Sequence, residues 1–335
     1  MLEPPSLSNA LILACLREAY GLDVAGLDFL PLGNDAAAWV YRVALRGGES
    51  LFLKLKQGEV YPPGLSVPHA LSEEGIVEVV APLATRGGAL CQALEGFSLV
   101  LYPFIEGQNG MAAGLTTAQW ADFGRALRRI HETRLPAPLL SEVRRETFQP
   151  AWGGMVRGLQ DIVAGDGFQD PAARALADFW SHRAGEIARV VDRCEALGRA
   201  LHEKQLPPRL CHTDIHTANL LVDARGRLHI VDWDQPLLAP VERDLMFFFS
   251  AVDGRVEMER PEQVAFLRGY GPVAPNPLAL AYYQHEWAVQ ELGDDGQRVL
   301  LTPGLGEASR HAALRHLMQC FDPGDVIDAA VKSGF

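Results

Sequence analysis

The sequence predicts an α+β fold with a small, β-rich N-terminal lobe and a larger, mostly helical C-terminal lobe. Before about residue 105, short runs alternate between apolar and polar residues, which is typical of strands. After Gly110 the apolar residues recur every three or four positions, as at Trp120, Phe123 and Leu127. Strands followed by helices indicate an α+β arrangement. We therefore predict one lobe over residues 1–104, ending in a hinge, and a second over residues 105–335.

The N-terminal lobe is expected to begin with a helix that Ser6 or Ser8 caps and that ends at Gly21. The segment Arg46-Gly47-Gly48-Glu49 has the composition of a hairpin turn between two strands. Pro68 should perturb a short helix over Leu65–Glu74. The predicted strands of this lobe are Leu27–Leu32, Ala38–Leu45, Ser50–Lys56, Glu78–Pro82, Ala89–Ala93 and the apolar run Ser98–Ile105.

The C-terminal lobe is expected to be built from helices, with two short strands inside the segment Leu210–Asp244. Its predicted helices are Thr116–Thr133, Ala151–Val163, Pro171–Leu206, Val241–Ala251, Pro261–Tyr270, Leu278–Leu292 and Glu307–Cys320.

The composition limits the classes of partner. The formal net charge of −12 disfavours nucleic acid and anionic membranes, because both require a basic surface. It is compatible with a cationic small molecule. No apolar run is long enough to span a bilayer. The 5 cysteines are scattered without a Cys-x-x-Cys pair, which indicates reduced thiols and a cytoplasmic protein.

The segment from Leu210 to Asp244 carries an unusual concentration of chemistry. Asp214 precedes Asn219 by five residues, and Asp232 ends the mostly apolar run Leu228–Val231. Phosphoryl transfer from a nucleotide needs a carboxylate at the acceptor hydroxyl and oxygen ligands for Mg²⁺. We predict Asp214 as the catalytic carboxylate, and Asn219 and Asp232 as the magnesium ligands.

The pattern His212-x-Asp214-x-x-x-x-Asn219 resembles the catalytic loop of the protein-kinase-like phosphotransferases. HTDIHTAN followed by IVDWDQPLLAPVERD is similar to the aminoglycoside and choline kinase branch, and most similar to spectinomycin phosphotransferases. The segments FLKLK, LYPFIEGQNG, LRRIHET and ERDLMFF extend the resemblance over most of the chain. It implies a bilobal kinase-like fold, ATP or GTP with Mg²⁺, and transfer to a hydroxyl of a cationic antibiotic such as spectinomycin, which would give resistance.

The resemblance also implies a nucleotide site in the N-terminal lobe. Strand alternation puts Lys54 and Lys56 on one face, and Lys54 is expected to bind the α and β phosphates, with Lys56 as the fallback. The hinge residues Tyr102, Phe104 and Ile105 would offer backbone groups to adenine. Phe104 with Ile230 or Leu221 would enclose the ring.

Two features depart from the kinase pattern. The loop Leu32-Gly33-Asn34-Asp35-Ala36 has one glycine, whereas a phosphate-binding loop usually has several. The acid that should pair with Lys54 is not evident, and Glu59, Glu73 and Glu74 are all open.

The remaining site residues are assigned roles in scaffolding and in acceptor binding. By resemblance, His212 and Asp244 are structural, whereas the role of His216 stays open. An acceptor bearing amines requires carboxylates and aromatic faces. The expected acceptor residues are Asp234, Tyr283, Glu286, Trp287 and Glu291, and support of the metal site is the alternative role for Asp234.

Three other functions remain open from the sequence. The same fold could phosphorylate a small metabolite such as choline, homoserine or a sugar. The residues His212, Asp214 and His216 could instead hold a transition metal in a hydrolase. The single-glycine loop is also compatible with a nucleotide-binding pseudokinase.

Overall fold

A computed structural model of the protein describes residues 2–33, 35–165, 167–252, 255–257 and 260–333. The chain forms two compact units. The first unit comprises Met1–Arg145, Arg209–Ala239 and Arg260–Val273, and the second comprises Glu146–Pro208, Pro240–Glu259 and Ala274–Phe335. Compact units are defined by packing and not by function, so the functional division at residue 104 stays a prediction.

The predicted β-sheet N-terminal region and mostly helical C-terminal region are confirmed. The strands are β1 Val24–Leu30, β2 Ala38–Leu45, β3 Ser50–Gln57, β4 Gln92–Leu94, β5 Phe97–Pro103, β6 Gly107–Asn109, β7 Arg209–Cys211, β8 Leu220–Asp223, β9 Leu228–Ile230, β10 Leu237–Ala239, β11 Ser250–Val252 and β12 Arg255–Glu257. The α-helices are α1 Asn9–Cys15, α2 Pro63–Glu73, α3 Gly110–Ala113, α4 Thr117–Glu132, α5 Ala137–Glu142, α6 Gly153–Val163, α7 Pro171–His202, α8 Glu242–Leu245, α9 Pro261–Tyr270, α10 Pro277–Leu300, α11 Glu307–Gln319 and α12 Val326–Lys332.

The first unit is built around an antiparallel five-stranded sheet in the order β1-β2-β3-β5-β4. Leu53 and Leu55 of β3 are fully buried on one face, where they join the core with α1. Because side chains alternate along a strand, Lys54 and Lys56 lie on the opposite face. Lys54 is opposite Val40 of β2 and Val100 of β5, so it occupies the middle of the sheet.

The first helix begins and ends where the sequence predicts. The Ser8 hydroxyl accepts a hydrogen bond from the backbone N–H of Leu11 at the N-terminus. After α1 the chain continues as a π-helical turn over Leu16–Tyr20. Gly21 follows with a φ of 70°, a left-handed conformation that glycine adopts without steric cost.

Among the described residues, one predicted strand is absent, and one predicted helix is much shorter than expected. Glu78–Pro82 is not a strand: Val79 makes a single parallel bridge with Ile230. The pairing cannot continue because Pro82 has no N–H to donate. The helix predicted over Val241–Ala251 ends at Leu245. The five consecutive apolar residues from 245 to 249 do not form a helical stripe, and the chain continues as strand β11.

The second unit is helical around α10, which packs against α6, α7, α11 and α12. Trp180, Tyr282 and Leu292 are buried in its core. Helix α10 is longer than predicted, because Arg298 pairs with Asp295 and Asp294 one turn earlier and continues the helix. None of the described helices is long and apolar enough to cross a membrane.

Candidate active site

The two lysines of β3 converge on carboxylates that follow β9. Lys54 Nζ donates to Asp232 Oδ1 and to Asp234 Oδ1, both at 2.8 Å. Lys56 Nζ donates to Asp234 Oδ2 at 2.9 Å. Burial alone would lower the pKa of Lys54, but the two carboxylates outweigh burial and raise that pKa above its ordinary value. Lys54 is therefore held as a cation on the open face of the sheet.

The partners of Lys54 are aspartates and not one of the three glutamates that the sequence left open. Among the described residues, Glu59, Glu73 and Glu74 are exposed and make no ion pair with Lys54. The buried side of α2 carries Gly64 instead of an acid. A Cβ atom at Gly64 would lie 3.0 Å from the carbonyl oxygens of Trp233 and Asp234, so a side chain there would crowd the close approach of α2 to this segment.

Asp232 has an unusual backbone conformation, with a φ of 66°. Left-handed φ values are uncommon for residues other than glycine and cost about 1–3 kcal/mol. The preceding residue is fixed, because the N–H of Val231 donates to the carbonyl oxygen of Asn219 at 3.1 Å. This bond brings the end of the β9 segment next to the loop that contains Asp214.

The carboxylate of Asp214 is oriented by its neighbours but remains accessible. Asn219 Nδ2 donates to Asp214 Oδ2 at 3.0 Å and to the Asp214 carbonyl oxygen at 2.7 Å. His216 Nε2 lies 3.4 Å from Asp214 Oδ1, and His216 Nδ1 accepts from the N–H of Ala218 at 3.2 Å. Because 49% of the Asp214 side chain is exposed, a hydroxyl can approach it.

His212 connects the loop that contains Asp214 to the segment that carries Asp232. Its Nε2 donates to the Val231 carbonyl oxygen at 2.9 Å, and its Nδ1 accepts from the N–H of Asp214 at 3.2 Å. The ring is fully buried and lies 4.5 Å from the ring of Trp233. These bonds fix the imidazole between the backbone N–H of Asp214 and the backbone carbonyl of Val231.

Thr213 is a site residue that sequence reasoning missed. Its φ is 81°, which is a strained value for a β-branched residue. Its hydroxyl donates to the Gln235 carbonyl oxygen at 2.9 Å. The bond ties the catalytic loop to the chain immediately after Asp234. No sequence signal predicts this conformation, because threonine seldom adopts it.

The donor atoms of Asn219 and Asp232 fit a magnesium ion. Both described hydrogen bonds of Asn219 to Asp214 use its Nδ2 group, so the amide oxygen is on the other side of the side chain. Asp232 contributes a carboxylate, and 44% of its side chain is exposed. Amide and carboxylate oxygens are the hard ligands that Mg²⁺ prefers.

Some of the predicted nucleotide-binding residues line one cavity. Tyr102, Lys54, Lys56, Gly64 and Asp234 line it. Burial raises the pKa of Tyr102, so this residue stays a neutral phenol.

Three other predicted nucleotide residues have contacts of their own. Phe104 lies under the guanidinium of Arg42, 4.7 Å from the ring centre, and Ile105 follows it outside any strand. Ile230 is fully buried and bonds through its backbone to Glu78 and Val80. The contacts of these residues with adenine stay a prediction.

The predicted acceptor residues of α10 lie in the second unit and have partners there. Glu286 forms an ion pair with Arg243 at 3.1 Å, and Trp287 Nε1 donates to Glu291 Oε1 at 2.7 Å. Burial raises the pKa of Glu291 to about 7. The same unit buries two further predicted residues completely, Tyr283 in α10 and Asp244 in α8. Acceptor binding by the α10 residues, and the structural role of Asp244, stay predictions.

A lysine paired with two aspartates that follow a strand, in the same unit as an accessible aspartate braced by an asparagine, is typical of kinase-type phosphotransferases. The family model described as phosphotransferase enzyme family (APH) matches residues 28–283, and the chain belongs to this family. Protein StrN of Streptomyces griseus is 28% identical over 304 residues, covering 88% of this chain and 86% of StrN.

Comparison with solved structures also indicates a kinase-type phosphotransferase. Spectinomycin phosphotransferase APH(9)-Ia, in complex with ADP and spectinomycin, is 32% identical with a TM-score of 0.86, covering 98% of this chain and 99% of that one. The amicoumacin kinase hAmiN, in complex with AMP-PNP, Ca²⁺ and Ami, is 15% identical with a TM-score of 0.60, so this similarity concerns the fold alone. The predicted family and kinase-like α+β fold are confirmed, and the protein is a kinase that transfers phosphate to an alcohol group.

Proposed function

We propose that the protein is an ATP- and Mg²⁺-dependent O-phosphotransferase acting on an aminocyclitol or aminoglycoside antibiotic, with spectinomycin as the first candidate. One observation supports the reaction above all others: the braced Asp214 carboxylate and the Asp232–Lys54 pair lie within one compact unit. The choice of acceptor is supported by the full-length similarity to a phosphotransferase solved with spectinomycin.

The nucleotide would be held by the cations and oxygens of the first unit. Lys54 would bind the α and β phosphates, and Asn219 with Asp232 would hold Mg²⁺. When bound, the ion would supply positive charge that neutralises the phosphate oxygens. The left-handed backbone of Asp232 fixes the direction of its carboxylate before the nucleotide arrives.

Asp214 would orient the acceptor hydroxyl and take its proton. Asn219 binds Asp214 Oδ2, which fixes the carboxylate plane, while Oδ1 faces His216. In a loose phosphoryl-transfer transition state the base mainly holds the hydroxyl in line with the phosphate. A rigid but accessible carboxylate is suited to this role.

The product chemistry supports a role in resistance. A phosphoryl group adds about −1.5 to −2 charge at neutral pH. It would weaken binding of a cationic drug to an anionic RNA target. The net charge of −12 favours encounter with a cationic acceptor. We also propose a cytoplasmic location, supported by the five free cysteines.

The proposal is tested by incubating the purified protein with ATP, Mg²⁺ and a panel of spectinomycin, kanamycin, streptomycin, choline and homoserine. Mass spectrometry would detect the addition of one phosphoryl group to each acceptor. We expect turnover of spectinomycin. Turnover of choline or homoserine alone would instead identify a metabolite kinase and reject the antibiotic as substrate.

A further inference from the structure

We propose that Lys56 is a second phosphate-binding residue, and that Asp234 holds Lys54 and Lys56 together when no nucleotide is bound. The proposal rests on the proposed function, because it concerns the phosphate subsite of the same kinase. It assigns Lys56 a role of its own beside Lys54, and it makes Asp234 a positioning residue for the two lysines.

The first support is the convergence of two cations on one anion. Lys54 Nζ contacts Asp234 Oδ1 at 2.8 Å, and Lys56 Nζ contacts Asp234 Oδ2 at 2.9 Å. A carboxylate is small, so both ammonium groups are close to each other. Two like charges at this separation repel unless an anion lies between them. The arrangement is thus suited to an anion with several oxygens, such as a polyphosphate.

The second support is the location of the pair. Lys54, Lys56 and Asp234 line the same cavity as Tyr102, the predicted hinge residue. Lys56 is mostly covered, with 21% of its side chain exposed. Burial alone would lower the pKa of Lys56, but the Asp234 and Asp35 carboxylates outweigh burial and raise that pKa. The lysine therefore remains charged at the wall of the cavity.

The third support comes from the loop between β1 and β2. Asp35 of this loop forms an ion pair with Lys56 at 3.2 Å, so the lysine lies at the loop where a kinase binds phosphates. The backbone N–H of Ala37 already donates to Asp35 Oδ1 at 2.7 Å. At least one backbone N–H of this glycine-poor loop is thus bonded within the loop and not to a phosphate. A lysine beside the loop can supply positive charge to the phosphates in its place.

The test compares Lys56→Met, Lys56→Arg, Asp35→Asn and the wild type by calorimetric titration with MgATP, MgADP and adenosine. We expect Lys56→Met to weaken MgATP and MgADP binding by about tenfold to a hundredfold, the range for one charged hydrogen bond. Adenosine has no phosphate, so its affinity should not change. Lys56→Arg should recover part of the loss. The exposed Lys204→Met serves as the matched control.

The Asp35→Asn variant distinguishes a role of Lys56 in phosphate binding from a role in holding the loop between β1 and β2. It removes the charge that Lys56 shares with the loop but keeps the oxygen that accepts from Ala37, so MgATP affinity should be retained or increased. Wild-type MgATP affinity in Lys56→Met would overturn the proposal. Equal losses for adenosine and MgATP, or an Asp35→Asn variant that matches Lys56→Met, would also overturn it, because both indicate a structural role. Failure of the wild type itself to bind MgATP would reject the proposed function.

Discussion

Asp214 is expected to act in the chemical step and not in nucleotide binding. Its carboxylate is held by Asn219 at 3.0 Å, whereas Asp232 and Asp234 hold the lysines of β3. We predict that Asp214→Asn lowers kcat by about 10²- to 10⁴-fold, the usual contribution of a general base, and leaves MgATP affinity nearly unchanged. Steady-state kinetics and titration would measure both quantities.

The matched control for Asp214 is Asp161→Asn, which changes an exposed aspartate of α6 in the second unit. This variant should keep the wild-type kcat. Near-normal turnover in Asp214→Asn would contradict the assigned role of the carboxylate.

Thr213 should contribute to catalysis only by holding the loop of Asp214 in position. Thr213→Val keeps the branched shape but removes the hydroxyl that donates to Gln235. A neutral hydrogen bond contributes about 0.5–1.5 kcal/mol, so kcat should fall about threefold to tenfold while KM for ATP stays the same. Thr213→Ser keeps the hydroxyl and should retain the wild-type kcat. Equal kcat values for the valine and serine variants would refute this role.

Local spacing predicts the residues of the catalytic loop but not the partner of Lys54. Asp214 and Asn219 are five residues apart, so the loop itself brings them together. The Lys54–Asp234 contact joins residues 180 positions apart, so it depends on tertiary packing. A sequence contains no direct record of that packing. The positive φ of Thr213 is likewise set by its surroundings.

Helices α4 and α9 pack so closely that glycine is required between them. A Cβ atom at Gly269 would lie 1.8 Å from the carbonyl oxygen of Ala121, which is a severe clash. Gly269→Ala should lower the free energy of unfolding by about 1–3 kcal/mol, as overpacked core substitutions do. Urea denaturation would measure the change.

Gly158 of α6 gives the opposite expectation, because a Cβ atom there meets nothing within 4 Å. Gly158→Ala should raise the free energy of unfolding by about 0.5–1 kcal/mol through better helix propensity. If both alanine variants changed stability equally, the close approach of α4 and α9 would be wrong.

Helices α10 and α11 are joined by an ion pair that depends on pH. His316 Nδ1 donates to Asp295 Oδ2 at 2.7 Å. This hydrogen bond, opposed by burial and aided by the charges of Asp295 and Glu291, raises the pKa of His316 from 6.5 to about 9. A raised histidine pKa stabilises the fold fully below pH 6.5, and the contribution is lost as pH rises through about 9.

We therefore predict that the free energy of unfolding of the wild type falls between pH 6.5 and about 9 more steeply than that of His316→Gln. Chemical denaturation at several pH values would measure the two slopes. The glutamine variant lacks the titrating group but can still donate to Asp295. Parallel slopes would show that the pair does not contribute to stability.

Periodicity predicts elements best where one face is buried and the other is open. Helix Pro261–Tyr270, which has a buried and an open face, has the predicted bounds. The pattern fails over Val241–Ala251, because its five consecutive apolar residues carry no helical or strand period. It also fails at Glu78–Pro82, where a single proline ends the pairing.

At the scale of the whole molecule, the chain passes repeatedly between two compact units. The first unit gathers three separate stretches, and these include every proposed nucleotide, metal and catalytic residue. Sequence order alone suggests a single boundary near residue 104. Interleaved units cannot be predicted from periodicity, since periodicity reports on one element at a time and not on contacts between distant segments.

The most direct measurement is transfer of labelled γ-phosphate from ATP to spectinomycin by the wild-type protein, with and without Mg²⁺. We predict that the label appears on spectinomycin in a 1:1 ratio with the ADP formed, and only when Mg²⁺ is present. Label found only as free phosphate, or ADP formed at the same rate without spectinomycin, would contradict the central claim that this kinase phosphorylates an antibiotic hydroxyl.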